Sequence, residues 1–228
     1  MPNDPLNQLP QKGPYHIRGG DLYIQVEQFL FRVHSYFFLR ESNFWRNELD
    51  GPVTANNHRD DAPLKIGNNA ATRYILKDVK AADFTKLLGV FYNRNYGDFS
   101  KAKGGDWIAI LRLAGKWDFH EIKELAVEHL KKHTMELSHR VRLYEENQVD
   151  GKHLFPLYVQ LSSREEVFGL EEARVLGIET FVLVQQARER LRGQASPSDP
   201  MQNPLPPGIQ RPDIRSIVAA TFNIPLPE

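Results

Sequence analysis

The stretch FRVHSYFFLRESNFW, residues 31–45, constrains the fold more than any other part of this chain. It places four Phe, one Tyr and one Trp around a single histidine, His34. Burying one large aromatic ring stabilises a protein by about 2–3 kcal/mol, so six such rings are seldom left in water together. We therefore expect this segment to pack inside the molecule or against a companion molecule.

The flanking residues show strand and short-helix patterns. LYIQV, residues 22–26, alternates apolar and polar side chains, which is typical of a half-buried strand. Glu27-Gln28 then turns the chain into a second predicted strand, residues 29–33. A short apolar helix follows His34, and Ser42 is the predicted N-cap of another helix. Residues 71–76 are a third strand candidate, and a short strand is also predicted near residues 64–66.

The chain from residue 79 onward is predicted to be helical. Phe84, Leu87, Leu88 and Phe91 recur at i, i+3, i+4 and i+7, one face of a helix with Lys80 as its N-cap. A second helix is expected to open at Asp106. A third is expected to open at Asp118, whose carboxylate would accept from the Glu121 N–H.

Later helices follow from the same spacing rules. We expect helices near 135–147, near 153–161 with Pro156 in its first turn, and continuously over 170–192. A Pro-rich stretch leads to a short amphipathic pattern over 214–222. That pattern has two interpretations, a helix that docks back on the chain or a motif for a partner's groove. We find no internal repeat of fixed period.

The order of these elements resembles the BTB/POZ family, and three sets of residues carry the resemblance. The family's first signature, an acidic residue before an apolar strand, then F-x-V-H and S-x-x-aromatic, matches Asp21, Ile24, Val26, Phe31, Val33, His34, Ser42 and Trp45. A second matches Leu76, Asp78, Val79, Phe84, Leu87, Leu88, Phe91 and Tyr92. The third matches Ala114, Lys116 and Trp117. The sequence around these motifs is similar to that of the expanded BTB group of mushroom-forming fungi.

The resemblance implies an α+β fold, a BTB/POZ-type small sheet capped by helices and followed by additional C-terminal helices. It covers about residues 15–133. The remaining organisation is then a disordered lead-in over 1–14, a helical extension over 134–192, and a Pro-rich tail with a short helix over 193–228.

The function implied by the resemblance is protein–protein interaction without enzymatic activity. Family members commonly form homodimers through the first strand and first helix, so the candidate interface residues are Leu22, Tyr36, Phe37 and Arg40. The residues expected to be structural are Asp21, His34, Ser42 and Trp45. The partner is then a second copy or another protein. A cullin ubiquitin-ligase adaptor is the alternative within this class. BTB repressors carry a basic residue where this chain has Ser35, which argues against a repressor-type pocket.

Composition excludes several other classes. The chain has no cysteine, which removes disulfide scaffolds, thiolate zinc sites and cysteine nucleophiles. Its 29 basic residues equal its 29 acidic ones, so no net field favours nucleic acid. No apolar run is long enough to span a membrane and no signal peptide is visible, so we expect a cytoplasmic or nuclear protein.

Two weak metal patterns lead to an alternative of a different class, a metal-dependent hydrolase. His129 and His133 stand at i, i+4, a spacing that can present two imidazoles to zinc, but no Glu lies between them. The acidic run at residues 58–61 could line a cation loop. Helix-end charge and a solvated loop are the simpler interpretations. We therefore predict no catalytic residue, no metal and no cofactor.

Overall fold

The computed structural model describes residues 10–50, 67–93, 97–192 and 211–226. Within these ranges the chain is mixed α+β, with a small open sheet of four strands and ten helices. It divides into two compact units, Met1–His133 and Thr134–Glu228. The second unit begins at the residue where we expected the helical extension to begin.

The sheet of the N-terminal unit is built around a tight hairpin. Its strands are β1 (Gln11–His16), β2 (Leu22–Val26), β3 (Phe29–Val33) and β4 (Tyr74–Leu76). β2 and β3 pair antiparallel across the predicted turn, where Glu27 has φ +50°. β1 and β4 run parallel to β3 and β2, giving the order β1-β3-β2-β4. The two hairpin strands and their turn are thus confirmed. The predicted strand near 64–66 lies outside the described residues.

The first strand was not predicted. Residues 11–14, which we assigned to a disordered lead-in, belong to β1 and pair with β3. QKGPYH contains Gly and Pro and shows no alternation, so local pattern gives no strand signal. A contact with a distant residue favours the strand: a Cβ at Gly13 would lie 3.1 Å from the Phe31 ring, a tight contact that glycine avoids.

Five helices accompany the sheet in the described residues of this unit. They are α1 (Tyr36–Glu41), α2 (Asn43–Asp50), α3 (Ala81–Phe91), α4 (Gly104–Lys116) and α5 (His120–Leu130). Lys80 is the N-cap residue of α3, as predicted. α4 begins two residues before its predicted start, because Asp106 sits inside the first turn and its carboxylate accepts from the Lys103 N–H at 2.9 Å.

The start of α5 corrects a further prediction. Asp118 is not its N-cap: it is a left-handed residue, φ +52°, that ends α4, while the Phe119 N–H donates to the Ala114 carbonyl at 2.9 Å. The Asp118 carboxylate pairs with Lys123 at 3.0 Å. The N-cap position of α5 falls on Phe119, whose side chain is fully buried and makes no capping bond.

The core of this unit is aromatic. Phe38 stands at its centre, with its ring centroid 5.0 Å from Trp45, 6.3 Å from Phe84 and 6.1 Å from Phe119. Edge-to-face packing, as Phe38 makes with Trp45 and Phe119, adds about 0.5–1.5 kcal/mol per pair to the free energy of burial. The fully buried aromatic side chains of the unit are Phe31, Phe38, Trp45, Phe84, Trp107, Trp117 and Phe119.

The C-terminal unit is helical throughout the part that is described. Its helices are α6 (Leu137–Glu146), α7 (Gly151–Ser163), α8 (Leu170–Leu176), α9 (Ile178–Arg192) and α10 (Arg211–Phe222). Two predictions are wrong here. Pro156 lies inside α7 rather than in its first turn. The helix predicted over 170–192 breaks at Gly177, whose φ of +79° no α-helix contains.

The same turn geometry occurs once in each unit, although no sequence repeat is visible. Gln148, between α6 and α7, stands 30 residues after Asp118 and has the same φ, +52°. The Val149 N–H donates to the Tyr144 carbonyl at 3.0 Å, repeating the Phe119 bond. The alternation of buried and exposed positions is identical over 111–120 and 141–150. Backbone geometry and burial therefore repeat where residue identity does not.

The tail pattern over 214–222 forms α10, which packs against α7 and α9. Val218 is fully buried. The Phe222 ring stacks on Tyr158 at 4.1 Å, and Arg190 donates to the Thr221 hydroxyl at 3.1 Å. Of the two interpretations of this segment, the structure shows the helix that docks on its own chain.

Candidate protein interaction surface

The aromatic stretch at residues 31–45 divides into an inner and an outer set. Phe31, Phe38 and Trp45 belong to the core, and Phe44 is half-buried. The outer rings gather where α1, the end of α3 and β1 meet. We call this outer group the aromatic surface, and it consists of Tyr15, Tyr36, Phe37, Phe91 and Tyr92.

Contacts between rings hold the aromatic surface in place. Phe37 stacks on Phe91 at 5.3 Å and meets Tyr92 edge-on at 5.1 Å. Tyr15 stacks on the other side of Tyr92 at 5.6 Å. Tyr36 meets only the edge of Phe37 among these rings and is 60% exposed. Four rings therefore form a half-buried base, and the fifth projects from it.

Arg40 completes this surface. Its guanidinium lies 5.6 Å from the centre of the Tyr36 ring and pairs with Glu41. The Glu41 hydrogen bond, followed by one to Tyr36, raises the pKa of Arg40 above its usual value, so its charge is fixed at every physiological pH. A cation beside an exposed tyrosine is a combination that protein interfaces favour.

His34 joins the strand to the aromatic surface through Tyr92. The His34 backbone N–H donates to the Tyr92 hydroxyl at 2.8 Å, and His34 Nδ1 lies 3.0 Å from the same oxygen. Burial raises the pKa of Tyr92, against the lowering effect of the His34 N–H, so the hydroxyl stays protonated near neutral pH. The polar contact of the imidazole thus fixes the orientation of Tyr92.

Asp21 anchors the start of α1. Its two carboxylate oxygens accept from the Ser35 backbone N–H at 2.8 Å and from the Ser35 hydroxyl at 2.5 Å. The serine hydroxyl is therefore directed toward a carboxylate rather than toward His34. The side chains of Asp21 and Ser35 thus stabilise the junction between β3 and α1.

Ser42 and Trp45 hold α2 against the end of α4. The buried Ser42 hydroxyl donates to the Trp117 carbonyl at 2.5 Å and accepts from the Trp45 N–H at 3.1 Å. The Trp45 ring packs on Trp117 at 5.3 Å. Ser42 and Trp45 thus both lie in the interior of the unit.

One residue that we predicted at the interface, Leu22, is not accessible in this unit. Leu22 has no exposed surface in this unit, because it lies on the same face of β2 as the fully buried Ile24 and Val26. Tyr36 and Arg40 are exposed and Phe37 is half-buried, so these three remain available to a partner. Tyr15, Phe91 and Tyr92 were not among the candidate residues. Phe91 and Tyr92 stood in a helix pattern that does not reveal exposure, and Tyr15 lies on the unpredicted β1.

The candidate metal residues are occupied with packing. His129 stacks face to face on Trp107, with ring centroids 4.0 Å apart and 6° between planes. His133 packs over Gly104, where a Cβ would lie 3.3 Å from the imidazole Cγ. Residues 58–61 lie outside the described residues. Within 10–50, 67–93, 97–192 and 211–226, no three His, Asp or Glu side chains form a group suited to a metal ion.

In the part of the chain that the structure describes, every helix is too short or too polar to cross a bilayer. Comparison with protein-family models, with curated proteins and with solved structures finds no match to this chain.

Proposed function

We propose that the N-terminal unit is a protein-interaction module of BTB type that forms a homodimer through the aromatic surface. The observation that carries the proposal is the exposure of Tyr36, 60%, on a base of four half-buried rings. Rigid aromatic side chains bury a large area at little conformational cost, and for this reason tyrosine is common among the residues that dominate binding.

A twofold arrangement suits this surface. α1 is six residues long, so one copy alone offers little area, whereas a specific interface buries about 1,000 Å² or more in total. Two copies related by a dyad would contribute the same patch twice. Tyr36 of each copy would pack against the other, with the two Arg40 side chains at the rim.

The junction at Asp21 supports a BTB-type unit that differs from repressors of that family. The Asp21 carboxylate is satisfied by the hydroxyl and N–H of Ser35 rather than by a neighbouring cation. A charged corepressor pocket would need that cation. Association through apolar surface, rather than recognition by a charged pocket, is the activity that these residues support.

Light scattering coupled to size-exclusion chromatography tests the proposal over a range of about 1–100 μM, within which transient dimers typically dissociate. We expect the wild-type chain to be a dimer. Tyr36→Asp should weaken the dimer by about tenfold or more, because a desolvated carboxylate would face its own copy. Leu226→Asp, a change at an apolar residue of similar exposure (53%) in the other unit, is the matched control. A wild-type monomer at the highest concentration, or an unaffected Tyr36→Asp dimer, refutes the proposal.

A further inference from the structure

Exposed apolar side chains concentrate in one part of the C-terminal unit. Seven large hydrophobic side chains are exposed among the described residues, and four of them lie within residues 167–182. These four are Val167 at 87%, Leu170 at 66%, Ile178 at 80% and Val182 at 44%. Single exposed hydrophobic residues need no explanation, but a cluster of this kind marks a binding surface.

A ring contact brings the two segments of the cluster together. Phe168, between α7 and α8, meets Phe181 of α9 edge-on at 5.7 Å. Ile178 and Val182 stand at i, i+4 and so share one side of α9. We call the resulting set the C-terminal apolar patch; its members are Val167, Phe168, Leu170, Ile178, Phe181 and Val182.

The patch rests on a rigid base. Phe168 is held by two guanidinium groups, those of Arg164 at 4.1 Å and Arg188 at 5.2 Å. Arg188 is itself buried and donates to the carbonyls of Leu161 at 3.1 Å and Arg164 at 2.7 Å. The rings of the patch are thus fixed before any partner arrives, which lowers the entropic cost of binding.

The charges around the patch are unequal. Three arginines near it are already paired: Arg164 with Glu172, Arg174 with Glu171 and Arg142 with Glu146. Arg188 is engaged with backbone carbonyls. The exposed carboxylates of Glu165, Glu166 and Glu179 make no ion pair within 4 Å among the described residues. Burial lowers the pKa of Arg188, and the charge of Glu166 opposes that shift from beyond ion-pair distance. The border of the patch therefore carries an excess of negative charge.

A cavity beside Ile178 is also lined by acidic side chains. Its volume is about 620 Å³, and its lining includes Arg142, Glu145, Glu146, Ile178 and Glu179. Glu145 accepts from the hydroxyls of Tyr158 at 2.7 Å and Thr180 at 2.8 Å, and Glu146 pairs with Arg142. Glu179 remains to receive a cation, and the cavity is large enough for a lysine or arginine side chain.

We propose that the C-terminal apolar patch binds a basic, amphipathic helical segment of another protein, whose apolar face covers Ile178 and Val182 and whose cations meet Glu165, Glu166 and Glu179. The carboxylates would repel nucleic acid and anionic lipid, so a peptide is the occupant that fits. This site is separate from the aromatic surface and does not depend on dimerisation through it.

A phage-displayed library of 16-residue peptides, unbiased in charge, tests the proposal on the full-length protein. We expect the enriched peptides to carry net positive charge and apolar residues at i, i+3 or i+4. The double variant Ile178→Asp/Val182→Asp should weaken their binding by about tenfold or more. The triple variant Glu165→Gln/Glu166→Gln/Glu179→Gln should weaken it by about three- to tenfold and reduce its salt dependence.

Matched variants keep the test specific. Leu226→Asp changes an exposed apolar residue elsewhere in the same unit, and Glu121→Gln removes an exposed carboxylate from the other unit. Neither should change peptide affinity, and circular dichroism should show every variant folded. The proposal is overturned if no peptide is enriched, if the enriched peptides are neutral or acidic, or if they bind the Ile178→Asp/Val182→Asp protein as tightly as the wild type.

Discussion

The hydroxyl of Ser42 connects three parts of the N-terminal unit. It caps α2 through the Trp45 N–H, and it supplies the hydrogen bond for the Trp117 carbonyl at the end of α4. The side chain is fully buried, so water cannot replace either bond without entering the core. One small polar residue thereby fixes the position of α2 relative to α4.

We predict that Ser42→Ala lowers the free energy of unfolding by about 1–3 kcal/mol, the combined cost of a lost N-cap and an unsatisfied buried carbonyl. Urea unfolding followed by tryptophan fluorescence measures this, since all three tryptophans lie in this unit. Arg112→Ala, at an exposed position of α4 in the same unit, is the control and should change stability by less than about 0.5 kcal/mol. Equal effects of the two substitutions would contradict this account of Ser42.

A second residue-scale prediction concerns His129 on Trp107. Burial, aided by the charges of Lys132 and His133, lowers the pKa of His129 below its usual 6.5. The unfolded chain therefore binds this proton more readily than the folded one. The stabilising contribution is complete above pH 6.5 and is lost as the pH falls through the lowered pKa.

We expect the free energy of unfolding to decrease from about pH 7 to pH 5, and to decrease less in His129→Gln, which cannot gain this proton. Urea unfolding at several pH values in both proteins measures the difference in slope. The absolute stability of the variant does not enter this comparison, because only its pH dependence is used. Parallel curves for the two proteins would show that His129 contributes nothing to the pH dependence.

At the scale of secondary structure, Gly177 decides where one helix stops and the next begins. Its φ of +79° strains any residue with a side chain, and an added Cβ would lie 3.3 Å from Arg142 Nη1. We predict that Gly177→Ala costs about 1–2 kcal/mol. Gly105→Ala, in open space within α4, should instead raise stability by up to about 1 kcal/mol. Thermal unfolding followed by circular dichroism compares them, and effects of the same sign would contradict this view.

Elements that depend on residues close together in the sequence were predicted well. Elements that depend on contacts between distant residues were not. The β2–β3 hairpin and the Ser42 cap follow from residues a few positions apart. β1 depends on Gly13 meeting Phe31, which no short window contains. Asp118 was misread for a related reason. An acidic residue before a helix suits an N-cap, yet the bond from Phe119 to Ala114 makes it the end of the preceding helix.

The candidate surface shows the same limit. The density of rings in residues 31–45 identifies the segment that matters, but not which ring faces outward. Tyr36 and Phe38 are neighbours of similar size, and one is 60% exposed while the other is fully buried. The interface prediction for Leu22 is wrong because the alternation of apolar and polar residues does not show what covers each face of the strand. Exposure is a property of the assembled unit, and the sequence pattern does not contain it.

At the scale of the whole molecule, α10 is part of the C-terminal unit although 18 residues separate it from α9. The fully buried Val218 is its anchor. We predict that Val218→Asp lowers the free energy of unfolding by about 3 kcal/mol, because a carboxylate would replace an apolar contact. Hydrogen exchange should show α7 and α9 losing protection.

Ala220→Asp provides the comparison for Val218→Asp. It places the same charge on the same helix at an exposed position, so stability should change by less than about 0.5 kcal/mol. If both substitutions behave alike, the docking of α10 on α7 and α9 contributes nothing to stability. Unchanged exchange at α7 and α9 in Val218→Asp would lead to the same conclusion.

The turn common to both units bears on how chains of this kind can lengthen. Trp-Asp-Phe at one junction and Asn-Gln-Val at the other produce the same reversal of direction. The reversal therefore needs a left-handed residue followed by a buried apolar one, and different residues can fill the other positions. We expect that helix pairs of about 30 residues could be inserted or removed at such turns without changing the other turns. Proteins that differ in the number of helix pairs would then have this turn geometry in common even where their residues differ.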